Sequence, residues 1–208
     1  DAVRDKHQIT IVGDVAQKIL FARKFIGWKK VVEYLGLDED SIIQLEVSFR
    51  CTVPIMTLAY KVAGDPKTVE GRAGPAPDWK KVGNFVDLTE ALADWSRGLL
   101  RADPYKLVAL ICRYPKQAME LKEEMENYLP GEVRLGHRDQ FSFEPGVLVT
   151  NIHQVKGLEF DSVALVEPDE ENYPEKREES RNMIYVGITR TQEDLLLATI
   201  RPYSSVLF

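Results

Sequence analysis

The sequence has few of the residues from which disulfide-rich, zinc-binding and membrane-spanning proteins are built. It contains two cysteines and three histidines among 208 residues. Cys51 and Cys112 lie far apart and form no C-x-x-C pair, and His7, His137 and His153 have no metal-ligand spacing with them. No stretch is apolar over the length of a membrane span, and no signal peptide is visible. We therefore expect no disulfide framework, zinc site or membrane contact, and a reducing, cytoplasmic location.

A phosphate-binding loop is also missing, because the pattern G-x-x-x-x-G-K-[ST] occurs nowhere in the sequence. Without that loop, the chain cannot cradle a triphosphate by itself in the P-loop manner. Basic residues are in deficit, since 27 Lys and Arg against 33 Asp and Glu give a formal net charge of -6. Generic nucleic-acid binders are more basic. Any contact with nucleic acid must therefore be local, or shared with a part that this sequence does not contain.

Strands and helices are expected to alternate along the whole chain. Continuous apolar runs such as "KLVALICR" (Lys106–Arg113) predict strands that are covered on both faces. Segments with helical spacing separate them, as in "TVPIMTLAYKVAG", where Thr52 is a plausible N-cap and Gly64 a stop signal. This alternation predicts an α/β fold with a doubly wound parallel sheet.

Two polar stretches are expected to be exposed loops. Asp65–Trp79 is rich in Gly and Pro, and a short strand is predicted after it over "NFVDL" (Asn84–Leu88). The second stretch, "EPDEENYPEKREES" (Glu167–Ser180), is expected to be a solvated acidic loop. It superficially resembles the strand-plus-acid pattern that holds magnesium, but that signal is weak alone, and we predict no metal site in the chain.

Several polar residues fall near the ends of the predicted strands, where parallel sheets bind their ligands. Arg190 lies in the turn ahead of the last strand, at the end of a helix. The others are spread over the sequence but can still converge in space: Asp14, Gln17, Arg50, Arg113, Thr150, His153 and Glu167.

Arginine suits phosphate because its planar fork matches phosphate oxygens and it keeps its charge when partly buried. Gln17, Arg50, Arg190 and Lys156 beside Gly157 are candidate phosphate ligands. Such a group stabilises the charge that develops on a transferring γ-phosphoryl, an effect worth roughly 10³–10⁵ in rate. From composition alone, the alternative that Arg50 and Arg190 are ordinary salt-bridge arginines stays open.

The order of five segments resembles that of motifs III, IV, IVa, V and VI of the superfamily 1 helicases of the UvrD/Rep/PcrA type. The resemblance extends from Ile9 to Leu197, and the strings "HQVKGLEFD" and "YVGITR" are its most specific parts. The five segments are "TIVGDVAQKI", "LEVSFRCTVPI", "ALICRYPKQAMELKEEM", "VTNIHQVKGLEFDSVALVEPDEENYP" and "EESRNMIYVGITRTQEDLLL".

The resemblance implies a role for each matching residue of a nucleotide site. Gln17 would sense the γ-phosphate, and Arg50 and Arg190 would reach it across a cleft, with Arg190 as an arginine finger. Phe49 would stack on adenine in the place usually taken by Tyr. Glu159 would accept a hydrogen bond from the ribose, and Gly157 beside it would belong to the same ATP-binding segment.

The resemblance also places Arg23, Arg113, Thr150 and His153 on a track for DNA. For Arg113, Thr150 and His153, the alternative that they are local polar caps stays open. The family has an aromatic just before the arginine of motif III, but Ala22 precedes Arg23 here. Base stacking, commonly worth about 1–3 kcal/mol, is therefore in doubt at that point. The large extra domain that these helicases carry between motifs IVa and V is absent.

The resemblance implies two RecA-like domains, each a parallel sheet flanked by helices. Residues 1–40 would end the first domain and residues 41–208 would form the second. The phosphate loop and magnesium-binding acids would precede Asp1, so ATP and Mg²⁺ are expected as cofactors of a longer protein. The expected partners are single-stranded DNA and the rest of the first domain. We expect the isolated chain neither to hydrolyse ATP nor to unwind DNA.

Three alternatives stay open. The first is a HelD-like ATPase that frees RNA polymerase from nucleic acid, which the acidic charge and the missing stacking aromatic favour modestly. The second is the helicase part of a nuclease–helicase that acts in DNA repair. The third is a degenerate module used only for binding, against which the presence of Gln17, Arg50 and Arg190 argues.

Overall fold

The computed structural model describes residues 10–13, 27–43, 50–137 and 141–208. Within them the helices are α1 (Trp28–Leu35), α2 (Val53–Ala63), α3 (Phe85–Ala102), α4 (Pro115–Met125) and α5 (Glu178–Ile188). The strands are β1 (Asp78–Lys81), β2 (Leu107–Cys112), β3 (Val133–Leu135), β4 (Gly146–Asn151), β5 (Phe160–Val166) and β6 (Thr191–Thr199). In this described part, the six strands form one sheet in the order β1-β6-β5-β2-β4-β3. Every neighbouring pair is parallel, which confirms the predicted fold class.

The sheet is covered on both faces, as its continuous apolar strands predict. All six residues of β2 are buried. Because side chains alternate across a strand, Ala109 and Ile111 join an apolar cluster with α2 and α5, whereas Val108 and Leu110 join a second cluster with α3 and α4. Among the described residues, no helix is long and apolar enough to cross a membrane.

The ends of α2 lie where the sequence predicts them. Thr52 occupies the N-cap position and Pro54 the first turn, and Gly64 ends the helix with a left-handed φ of 76°. Glycine takes this conformation without a steric penalty. The Thr52 side chain makes no capping hydrogen bond, so the N-cap prediction is right in position only.

The strand predicted over Asn84–Leu88 is wrong, because these residues begin α3. The Asn84 side chain accepts a hydrogen bond from the Asp87 amide at 2.9 Å, which caps the helix. The strand of this region lies earlier, at Asp78–Lys81, within and just after the stretch predicted to be a loop. All four of its residues are exposed, so no apolar pattern marks it.

The segment after β5 is not the fully solvated acidic loop that the sequence predicts. Asp169 and Tyr173 within it are completely buried. Asp169 accepts a hydrogen bond from the Asn172 amide at 2.8 Å and lies 3.4 Å from the Arg201 guanidinium. These contacts fold the segment against the carboxyl end of the sheet.

Candidate functional site

Arg190 lies in the junction between α5 and β6 and is 1% exposed. Its Nε donates to the Val186 carbonyl at 3.1 Å, and its Nη1 donates to the Leu158 carbonyl at 3.0 Å. Its Nη2 donates to the Thr189 hydroxyl at 3.2 Å. Burial, followed by the positive charge of Arg50, lowers the pKa of Arg190. The fold therefore holds a second cation, Arg50, close enough to Arg190 for their charges to repel.

Arg50 and Glu159 form an ion pair, with 2.6 Å between Arg50 Nε and Glu159 Oε1. The second carboxylate oxygen of Glu159 accepts a hydrogen bond from the Gln192 amide at 3.3 Å. Arg50 and Glu159 are partly exposed, at 41% and 38% of their side chains. Three residues that the sequence predicts for nucleotide contact, Arg50, Glu159 and Arg190, thus belong to one cluster.

Gly157 lies in the turn that leads from β4 to β5. Its φ is +86°, in the left-handed region that favours glycine, and an added Cβ would meet nothing within 4 Å. The turn closes with a hydrogen bond from the Leu158 amide to the Val155 carbonyl at 3.0 Å. Glycine is required here by backbone conformation, and the turn sets Glu159 directly ahead of β5.

Cys51 is buried beside this cluster, and sequence reasoning gave it no role. Its thiol donates a weak hydrogen bond to the Thr189 carbonyl, with 3.8 Å between the two atoms. Burial raises the pKa of Cys51 to about 11. The thiol is therefore protonated at neutral pH and acts as a packing group between the segments that carry Arg50 and Arg190.

Arg72 also contacts this cluster and was missed by sequence reasoning. Its Nη2 donates hydrogen bonds to two main-chain carbonyls, that of Arg50 at 3.2 Å and that of Gln192. A single arginine in a Gly- and Pro-rich stretch carries no local pattern. Only its contact across 120 residues of sequence shows it to be part of the site.

Arg113 and His153 meet beyond the carboxyl ends of β2 and β4, with 3.1 Å between Arg113 Nη1 and His153 Nε2. Arg113 lies over the rings of Tyr114 and Tyr173, at 4.7 Å and 5.7 Å from their centroids. Partial burial, followed by the charge of Arg113, lowers the pKa of His153. Arginine can only donate, so the neutral His153 accepts through Nε2.

Thr150 lies near this pair but points its hydroxyl elsewhere. Its side chain is fully buried, and its Oγ1 donates to the Gly136 carbonyl at 2.7 Å. This hydrogen bond fixes the residue after β3 to β4. The part of Thr150 in a DNA track stays a prediction.

The predicted site residues form two groups rather than one. They lie at the two rims of the sheet, called here the amino edge, where the strands begin, and the carboxyl edge, where the strands end. Glu159 and Arg190 directly precede β5 and β6, at the amino ends of the strands, whereas Arg113 follows β2 at the carboxyl ends. The seven residues of β5 separate the edges by about 20 Å. Gln17, Arg23 and Phe49 lie outside the described residues. No group of three His, Cys, Asp or Glu that could hold a metal ion occurs among the described residues.

Comparisons with known proteins agree with this architecture. Residues 105–202 match the family of UvrD-like helicase C-terminal domains. The chain is similar in fold to the crystal structure of the C-terminal domain of a possible DNA helicase from Lactobacillus plantarum WCFS1, with a TM-score of 0.65 and 23% identity. That match covers 77% of this chain and 92% of the other.

A second solved structure, the C-terminal domain of the DEAD-box protein Dbp5, matches with a TM-score of 0.42 and 16% identity, over 60% of this chain and 76% of that one. No curated protein matches the chain. The family match over residues 105–202 and the parallel RecA-like sheet agree with each other: this part of the chain is similar to UvrD-like helicase C-terminal domains.

Proposed function

We propose that this chain is the C-terminal part of an ATP-dependent DNA helicase or translocase, called here the full-length protein. An N-terminal RecA-like domain would bind most of the ATP, with its Mg²⁺. This chain would supply Arg190 as an arginine finger, together with Arg50 and Glu159. The observation that carries the proposal is the gathering of these three residues at one edge of the sheet, from positions far apart in sequence.

The charges of the cluster suit a triphosphate. Arg50 and Arg190 repel each other, and this repulsion contributes to the lowered pKa of Arg190. A γ-phosphate between them would replace repulsion with attraction, and Arg50 would leave its ion pair with Glu159. The freed Glu159 carboxylate could then accept a hydrogen bond from the ribose. Arg190 is 1% exposed and donates to two main-chain carbonyls, so its guanidinium would have to turn outward to reach the γ-phosphate.

The opposite edge of the sheet suits nucleic acid. Arg113 is 8% exposed, and its Nε has no hydrogen-bond partner among the described residues. Because this Nε atom is itself buried, a backbone phosphate of single-stranded DNA would have to bind the guanidinium through its small exposed part. Arg113 and His153 would then contact the DNA about 20 Å from the nucleotide. Opening and closing of the cleft between the two domains would move the protein along the strand.

The proposal is tested by ATP hydrolysis of the full-length protein, with and without single-stranded DNA, beside its Arg190→Ala variant. We expect stimulation by DNA and a loss of roughly 10³-fold or more in kcat in the variant. Arg101→Ala is the matched control, because it removes an exposed arginine in the last turn of α3, remote in sequence from the cluster. Equal hydrolysis by parent and Arg190→Ala would contradict the finger role. We expect no hydrolysis by the isolated chain.

A second candidate is an ATPase of the HelD type, which remodels RNA polymerase. The net charge of -6 and Ala22, where the family has a stacking aromatic, favour this candidate over a processive translocase. The same experiment separates the two. Hydrolysis that requires Arg190 but is indifferent to DNA would support polymerase remodelling.

A further inference from the structure

The Gly- and Pro-rich stretch between α2 and β1 folds back onto the segment that carries Arg50. We call residues 71–74 the brace. Thr52 and Arg72 form an isolated parallel β-bridge, in which the Val53 amide donates to the Arg72 carbonyl at 2.8 Å. Gly74 packs so closely that an added Cβ would lie 2.3 Å from the Thr52 Cγ2 atom. The brace is therefore docked through specific contacts.

The Arg72 guanidinium connects two segments of the chain that lie far apart in the sequence. Its Nη2 donates to the Arg50 carbonyl at 3.2 Å and also to the Gln192 carbonyl, two residues after Arg190. Its Nη1 lies 3.7 Å from a carboxylate oxygen of Glu193. One side chain thus connects the backbone that carries Arg50 to the backbone that follows Arg190.

These contacts close a ring of interactions. Arg50 Nε pairs with Glu159, and the Gln192 side chain donates to the same carboxylate. The side chains of Arg50 and Gln192 therefore meet at Glu159, while their main-chain carbonyls meet at Arg72. A nucleotide that draws the Arg50 side chain away would break the first connection but leave the second, which involves only main-chain acceptors.

We infer that Arg72 is a positioning residue, which holds the backbone of Arg50 in register with Arg190 so that both guanidinium groups can reach one phosphoryl group. This inference rests on the proposed function. The planar fork of arginine can serve two carbonyls from one nitrogen while its other nitrogen faces Glu193. The ammonium group of lysine lacks that fixed geometry.

The test uses the full-length protein with Arg72→Met, which keeps the length of the side chain but removes its donors. We expect kcat for DNA-stimulated ATP hydrolysis to fall by roughly 10- to 100-fold, with a smaller change in KM, because a displacement of about 1 Å can cost 10²-fold. Arg72→Lys should recover part of the loss. Arg101→Met, which removes an exposed arginine of α3, should leave kcat unchanged. Urea unfolding of each variant shows whether the fold is retained.

A double-mutant cycle separates positioning from general stability. If Arg72 acts through Arg50, then adding Arg72→Met to an Arg50→Ala protein should lower kcat by less than about threefold, because coupled residues are not additive. A full additional loss in the double variant would overturn the inference. So would an unchanged kcat in Arg72→Met when Arg50→Ala and Arg190→Ala each lower kcat strongly.

Failure of the proposed function gives a different result. In that case, Arg50→Ala and Arg190→Ala would hydrolyse ATP at the parental rate, or the parent itself would be inactive. Either result would overturn the positioning role together with the nucleotide site. Loss in Arg50→Ala and Arg190→Ala, without loss in Arg72→Met, would leave the proposed function intact and overturn this inference alone.

Discussion

Single residues in this chain are placed by long-range contacts that give them unusual properties. Arg190 is a buried cation that donates to the Leu158 carbonyl, Cys51 is a thiol whose pKa burial raises to about 11, and His153 is a base paired with an arginine. For each group, local sequence shows what the residue is but not its surroundings. The shift in pKa comes from burial and from a charge brought close by folding.

The Arg113–His153 contact predicts a pH dependence of stability. The pKa of His153 is lower in the folded chain than in the unfolded chain, where it is about 6.5. The unfolded state therefore binds the proton first as pH falls. We expect the free energy of unfolding to fall as pH decreases from about 6.5 towards the folded pKa, as measured by urea unfolding.

Two substitutions isolate the contribution of this histidine. His153→Gln keeps an acceptor for Arg113 but cannot be protonated, so the dependence on pH should become flatter. His137→Gln also removes one histidine but leaves the Arg113–His153 contact in place. The same change of slope in both variants would show that this contact is not the source.

At the scale of the element, backbone chemistry and close packing decide which segments form and where they dock. Gly74 shows the effect of space, since its added Cβ would overlap Thr52. Gly98, in the interior of α3, has nothing within 4 Å of an added Cβ. Replacing each of these two glycines by alanine is therefore expected to change the free energy of unfolding in opposite directions.

We expect Gly74→Ala to lower the free energy of unfolding by about 1–3 kcal/mol, because the brace must move away from Thr52. We expect Gly98→Ala to raise it by about 0.5–1 kcal/mol, because alanine loses less backbone entropy than glycine in a helix. Urea unfolding of both variants measures the difference. A Gly74→Ala chain as stable as the parent would show that the brace is loosely docked.

The elements also show where sequence patterns succeed. The apolar run Lys106–Arg113 predicted β2 correctly, and apolar runs of the same kind form β4 and β5, because buried parallel strands have no polar face. The exposed edge strand β1 was missed, since its only order comes from parallel pairing with β6. Short apolar runs are compatible with either a strand or a helix, and the pair Phe85–Val86 was predicted to be in a strand. These residues begin a helix instead, which the Asn84 side chain caps.

At the scale of the whole molecule, the parallel sheet separates two candidate sites. The amino edge carries Arg50, Glu159 and Arg190, and the carboxyl edge carries Arg113 and His153. Substitutions at the two edges should therefore affect different measurements. The difference can be read without knowing how the domains of the full-length protein move.

We expect Arg113→Ala to weaken binding of single-stranded DNA by the full-length protein and to reduce the slope of log K against log salt by about 0.7, as for one lost phosphate contact on a single strand. ATP hydrolysis without DNA should stay at the parental rate. Arg190→Ala should have the reverse effect, with binding of DNA retained and hydrolysis lost. Fluorescence anisotropy over a salt series provides the measurement. A loss of DNA binding in both variants would contradict the separation of the edges.

The sequence by itself determined the alternation of strands and helices, the parallel fold class and the order of the motifs. The reason is that the spacing of apolar residues within short stretches indicates both strands buried on two faces and helices. It also marked Arg50, Glu159, Arg190, Arg113 and His153 as candidates. Only the tertiary structure decided which of them share an edge, because strand direction and strand order are properties of the assembled sheet. The contact of Arg72 was decided there too, since its guanidinium meets a carbonyl 120 residues away only after the sheet has formed.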